Sequence, residues 1–132
     1  MVGVVLITHG DLGEALLRSA SALVGPLPCI RAVAAASGQP AATVQDAVRQ
    51  AADALDTGDG VLFLVDLAGS TPCNACAAEC TRRRADLLCG VNLPMLLKLA
   101  SADRGTDPAT LASELERTAQ RSIRRAAELG KA

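Results

Sequence analysis

The sequence predicts an α/β fold: a doubly wound, mainly parallel sheet of four strands, with room for a fifth short antiparallel strand, and helices on both faces. Three observations predict it. Val2 to Thr8 and Val61 to Val65 are apolar runs without alternation, the pattern of strands buried on both faces. Strand signals alternate with helical ones, which requires parallel strands joined by right-handed crossovers. The 132 residues are 50% hydrophobic yet include one aromatic, Phe63, so the core must be built from Val, Leu, Ile and Ala. Such a length suits a single domain over 1–132 and needs no metal or disulfide staple.

Strand one, Val2 to Thr8, is broken by His9-Gly10, and Asp11 stands where a helix cap belongs. Leu12, Leu16, Ser19 and Leu23 recur at helical spacing and predict a helix to Val24, stopped by Gly25-Pro26. Cys29 to Ala35 is a weaker, alanine-rich strand. After the turn Ser37-Gly38-Gln39-Pro40, Val44, Val48, Ala51 and Leu55 mark a second helix. Val61 to Val65 is the third strand and runs into Asp66. Thr71-Pro72 opens a helix expected to reach Arg84, with Thr71 as its cap and Pro72 at its start. Asp86 to Val91 is a fourth strand interrupted by Gly90, and Asn92-Leu93-Pro94 turns into a short helix through Ala100. After a polar loop, Leu111, Leu115, Ala119, Ile123 and Ala126 trace a closing helix that includes Gln120 to Leu129.

Formal net charge is −1, which argues against charge-driven nucleic-acid binding. No apolar run approaches the ~20 residues of a membrane-spanning helix. The N-terminus goes straight into a strand without a basic leader, so no signal peptide is expected. Five cysteines in such a chain read as reduced thiols of a cytoplasmic protein.

The candidate chemistry lies where parallel strands end. His9 follows strand one and Asp66 follows strand three, so neighbouring strands would bring the pair together on one rim. A carboxylate on one ring nitrogen fixes the tautomer and aim of the imidazole, leaving the other nitrogen as a nucleophile toward phosphorus. Gly69, Ser70 and Thr71 precede a helix N-terminus, whose free N–H groups and dipole favour an anion. Taken singly, a strand-end histidine is as readily a turn residue, and a strand-end Thr8 is more often a packing residue. Asp11 and Glu14 read as cap and helix surface.

These residues resemble a known family. Thr8-His9-Gly10, the run Gly60 to Leu67 with Asp66, the stretch Gly69-Ser70-Thr71-Pro72-Cys73-Asn74 and the stretch Gly90-Val91-Asn92-Leu93-Pro94-Met95-Leu96 look like the mannose-type enzyme IIA of the phosphoenolpyruvate-dependent sugar phosphotransferase system. The resemblance covers nearly the whole chain. It implies a phosphotransferase component in which His9 is phosphorylated on Nε2 and Asp66 bonds the other ring nitrogen. Thr71 matches a position of the phosphate-holding loop. The phosphoryl donor would be the phosphocarrier HPr and the acceptor a histidine of enzyme IIB, with no cofactor and contact with the membrane only through permease partners. A homodimer with a short exchanged C-terminal strand is also implied, against the helical reading of Gln120 to Leu129. The sequence departs from the family in having Gly69 followed by Ser70 rather than two glycines, and Cys73 where an apolar aromatic is common. The dihydroxyacetone kinase phosphocarrier domain fits less well, and a stand-alone carrier without an enzyme IIB domain is expected.

An alternative is a regulatory module that docks partners in a phosphorylation-dependent manner, without a sugar permease of its own. Leu67, Ala68 and Leu93 are the expected docking residues around His9. Cys73, Cys76 and Cys80 share one helical face. Three thiolates with His9 could hold zinc. The commoner reading, adopted here with no metal, is a stripe packed on the sheet. Arg82-Arg83-Arg84 reads as a solvated helix end, with docking of an acidic partner as the rarer alternative.

Overall fold

Continuous apolar runs can only be buried if both faces of the sheet are covered, and that requirement organises the computed structural model, which describes residues 1–130. The elements are β1 (Gly3–His9), α1 (Leu12–Val24), β2 (Ile30–Ala35), α2 (Ala41–Leu55), β3 (Val61–Val65), α3 (Thr71–Cys80), β4 (Ala85–Cys89), α4 (Leu93–Lys98) and α5 (Pro108–Arg121), then a 3-10 turn, Ala126–Glu128. Lys131 and Ala132 of the expected 1–132 domain lie outside the described residues.

Four parallel strands pair in the order β2-β1-β3-β4. The chain leaves β1 toward one edge and returns across it to β3, so β1 and β3 flank the switch point. Alternate residues of the two central strands face opposite layers. Val4, Leu6, Leu62 and Leu64 pack with Ala20, Leu96, Leu111 and Leu115 under α1, α4 and α5. Val5, Ile7, Val61, Phe63 and Val65 pack with Val44, Val48, Ala51 and Cys76 under α2 and α3. Burying each large side chain stabilises the fold by roughly 1.5–3 kcal/mol. Among the described residues the sheet has four strands, without the fifth antiparallel one.

Several boundaries differ from expectation, each for a local reason. α3 starts at Thr71, but its cap is Ser70, whose Oγ accepts the Cys73 N–H at 3.3 Å. It ends at Cys80 rather than Arg84, because β4 begins at Ala85 and stops before Gly90. Arg83 is no solvated terminus: it pairs with Asp53 and, at 3.2 Å, with the buried Glu79, which Arg49 also holds at 3.0 Å. This network ties α3 to α2. The periodicity locates α1 but does not by itself give its inner face. Gly13 and Ala20 are buried, with Leu16 and Leu17 against the core, while Leu12 and Leu23 are exposed. α5 stops at Arg121, where the Ser122 hydroxyl donates to the Ala119 carbonyl, and Ile123 stands 83% exposed. Gln120 to Leu129 is therefore not one helix.

Candidate functional site

β1 and β3 lie side by side in parallel register, with Ile7 opposite Val65, so the residues just beyond them emerge on the same rim. His9 and Asp66 meet there. The His9 backbone N–H donates to Asp66 Oδ2 at 2.9 Å, and His9 Nδ1 lies 3.0 Å from Oδ2 and 3.1 Å from Oδ1. One carboxylate thus grips both the backbone and the ring of the histidine. The ring is half exposed, while the Asp66 side chain is 13% exposed. Burial alone would raise the Asp66 pKa, but the N–H of His9 and its imidazole outweigh it and hold the carboxyl below its ordinary value. The carboxylate is therefore ionised at neutral pH. A proton on Nδ1 directed at it leaves Nε2 as the ring nitrogen with a free lone pair.

The chain can turn away after the histidine because Gly10 takes φ +59°, a left-handed conformation that side chains disfavour. Helix α1 then begins without help from the Asp11 carboxyl, which makes no capping bond. The buried Thr8 takes that part: its Oγ1 accepts the Gly13 N–H at 2.7 Å. Thr8 is thus fixed inward, on the helix entry, and does not offer its hydroxyl to the rim.

The loop from Asp66 to α3 reverses at Gly69, which holds φ +78°. Ser70 is turned inward on this loop. Its hydroxyl donates to the Leu67 carbonyl at 2.6 Å and caps the helix. The N–H groups of Gly69, Ser70 and Thr71 have no partner among the described residues. Thr71 is exposed and shares with His9 a cleft of about 230 Å³. The opposite wall of that cleft is Ala36, Ser37, Gly38 and Gln39, the loop after β2. Gln39 Oε1 accepts the Ala36 N–H at 3.1 Å and closes this loop on itself. In sequence this stretch reads as a plain turn; the pairing of β2 with β1 is what brings it to the site.

Around the rim, Leu67 is 59% exposed and Ala68 is exposed. Leu93 is half-buried and packs on the core. Leu12, one turn beyond His9, is 44% exposed. The cysteines of α3 face inward: Cys76 is fully buried, and Cys73 and Cys80 pack against the same core. Among the described residues no three His, Cys, Asp or Glu side chains are grouped to share a metal ion.

An exposed histidine held by a partly buried carboxylate at the switch point of a doubly wound sheet defines a class, the α/β proteins that carry out chemistry on the sheet's carboxyl rim. Comparison with known proteins narrows it. The profile of the PTS system fructose IIA component matches residues 3–116. A fructose-specific EIIA component of the phosphotransferase system from Bacillus subtilis is 34% identical over 124 residues, covering 93% of this chain and 85% of that protein. A mannose-specific EIIAB component from Escherichia coli is 34% identical over 108 residues; the match covers 81% of this chain but 33% of that longer protein. The fold matches that of a mannose/sorbose-specific IIA subunit from Enterococcus faecalis with TM-score 0.81 and 25% identity over 94% of this chain and 93% of that one. An EIIA component from Streptococcus agalactiae shares the fold with TM-score 0.84 at 20% identity, over 95% and 97% of the two chains. The chain belongs to the enzyme IIA family of the fructose and mannose type, and its role is phosphotransfer in the sugar phosphotransferase system.

Proposed function

We propose that His9 accepts a phosphoryl group on Nε2 from the phosphohistidine of HPr and passes it to a histidine of an enzyme IIB. The observation that carries this reading is the double grip of Asp66 on His9, at 2.9 Å on the backbone and 3.0–3.1 Å on Nδ1. With Nδ1–H donated to the carboxylate, Nε2 attacks phosphorus as the donor's phosphorus–nitrogen bond breaks. The product ring is cationic, and the adjacent Asp66 carboxylate balances it. No proton need leave Nδ1 in either direction, so the same geometry serves acceptance and delivery.

The amides of Gly69, Ser70 and Thr71 and the Thr71 hydroxyl are the donors for the phosphoryl oxygens, at the positive end of α3. Ser70 contributes its amide rather than its hydroxyl, which caps the helix. Leu67, Ala68 and the half-buried Leu93, with the exposed Leu12 after His9, are the apolar residues on which HPr and enzyme IIB dock in turn. The reading places the protein in the cytoplasm as a homodimer. The free edge of β4 and the groove beside it, where the exposed Ile123 stands among Leu88, Asn92, Glu116 and Gln120, are the surface a second copy would cover.

Incubation with phosphoenolpyruvate, enzyme I and HPr tests the assignment. One acid-labile, base-stable phosphoryl adduct is expected on the wild type and none on His9→Ala. Undiminished adduct on His9→Ala would reject it.

A further inference from the structure

Four of the five cysteines lie on or under α3, and two of them meet. Cys73 Sγ and Cys89 Sγ are 3.5 Å apart. Cys73 is the third residue of α3 and Cys89 the last of β4. Both are half-buried, within reach of a small oxidant. The other thiols are placed differently. Cys76 is sealed in the core, and burial, with the neighbouring thiols and Glu79, pushes its thiol far up. Burial, with Asp86 and Glu79, pushes the Cys80 thiol up to about 11. Cys29 lies near the opposite end of the sheet, against the Leu55 carbonyl.

We propose that Cys73 and Cys89 are a redox modification site, forming a reversible disulfide under hydrogen peroxide that slows phosphoryl acceptance at His9. The second half rests on the phosphoryl-carrier reading above; the first does not. The Cys73 thiolate attacks one peroxide oxygen, the O–O bond breaks, and Cys73 becomes a sulfenic acid as hydroxide leaves. The Cys89 sulfur then attacks Cys73 Sγ, forming the S–S bond and expelling the sulfenic oxygen as water. In all, two thiols lose two electrons and two protons, and one peroxide becomes two waters. The two sulfurs are in contact, so the same bond forms whichever of them is oxidised first.

The bond has a direction. A disulfide needs sulfurs about 2.05 Å apart, so the pair must close by roughly 1.5 Å. β4 lies on the far side of β3 from β1. Drawing the first turn of α3 toward β4 therefore draws it away from His9. Two sets of bonds pass the shift on. The Cys73 N–H holds Ser70 Oγ at 3.3 Å, and through it the loop that carries Gly69 and Thr71. The N–H groups of Gly90 and Val91, next to Cys89, hold the Val65 carbonyl at 2.8 and 3.0 Å, one residue before Asp66.

The test uses the full chain treated with hydrogen peroxide, alkylated under denaturing conditions and mapped by peptide mass spectrometry. A Cys73–Cys89 linkage is expected in the wild type and in Cys80→Ala. In parallel, the initial rate of phosphorylation by phospho-HPr, with peroxide removed, should fall at least several-fold on oxidation and recover with dithiothreitol. Cys89→Ala should keep the reduced rate and lose the response to peroxide. Thiols that stay free, or a different pairing, would overturn the modification site. A mapped linkage with an unchanged rate would overturn its regulatory consequence. Failure of the reduced wild type to be phosphorylated at all would instead strike the carrier reading and leave the mapping result standing.

Discussion

Asp66 holds two groups of one residue, the backbone amide of His9 and its Nδ1, and each contact has its own consequence. The amide bond fixes where the ring starts; the ring bond fixes its rotation and tautomer. Replacing the carboxylate by an amide keeps the shape but offers Nδ1 a group that donates as well as accepts, so the wrong tautomer gains ground. Asp66→Asn should slow phosphoryl acceptance roughly 10²-fold or more while leaving the fold intact. Stopped phosphorylation kinetics and circular dichroism check the two halves. The carboxylate also leaves a signature in pH. Its folded pKa lies below the unfolded value of about 3.9, so its contribution to stability is present above that value and is lost as pH falls through the folded pKa. The gap in unfolding midpoint between wild type and Asp66→Asn should therefore close as pH falls below about 4. A gap that stays open well below that range would contradict the sign.

Among the elements, the strand ends matter most, because they are where loops must be held to aim side chains. The carboxyl end of β1 is held by Thr8 on the Gly13 amide, and the other end by a residue in a loop. Arg104, between α4 and α5, is 6% exposed and donates to the carbonyls of Val2, Pro28 and Cys29 at 2.7 to 3.1 Å. It closes the amino ends of β1 and β2 together. Arg104→Ala leaves these carbonyls to find water and should destabilise the protein by roughly 2–4 kcal/mol in urea unfolding, with Arg104→Lys in between. A loss under about 1 kcal/mol would show that the carbonyls are satisfied without it. Nothing in the polar stretch Ser101 to Asp107 announced this: an arginine in a loop reads as solvent-facing until the carbonyls it meets, far away in sequence, are known. The same reason hid the Glu79 network. The face of α1 was not legible for another reason. Leucine spacing marks a helix, but the small residues Gly13 and Ala20 decide which side fits against the sheet. The exposed Leu12 is what that packing leaves over.

At the scale of the whole molecule, the covered parallel sheet was the part most open to sequence reasoning, while the order of its strands stayed conditional. Two unalternating runs force a covered parallel sheet, and crossover handedness then leaves few arrangements. One of these puts the ends of β1 and β3 side by side, which is why residues as remote as His9 and Asp66 touch. The loop walls were less open. Ser37 to Gln39 joins the cleft because β2 lies beside β1, a fact about pairing rather than local sequence. The inward turn of Ser70 depends on which of two adjacent hydroxyls reaches the Cys73 amide, and it is Ser70 Oγ that does, at 3.3 Å. The C-terminal stretch after Arg121 was legible only as helical periodicity, and its exposed Ile123 belongs to a groove beside β4.

The central claim is that Asp66 keeps the proton on Nδ1 so that Nε2 carries the phosphoryl group. Nitrogen-15 NMR of the protein labelled at its single histidine, before and after phosphorylation by phospho-HPr, tests it most directly. The account predicts a protonated Nδ1 in both states and a phosphorus coupling on Nε2 in the second. Phosphorus coupled to Nδ1, or a ring unchanged while phosphate is taken up elsewhere, would contradict it.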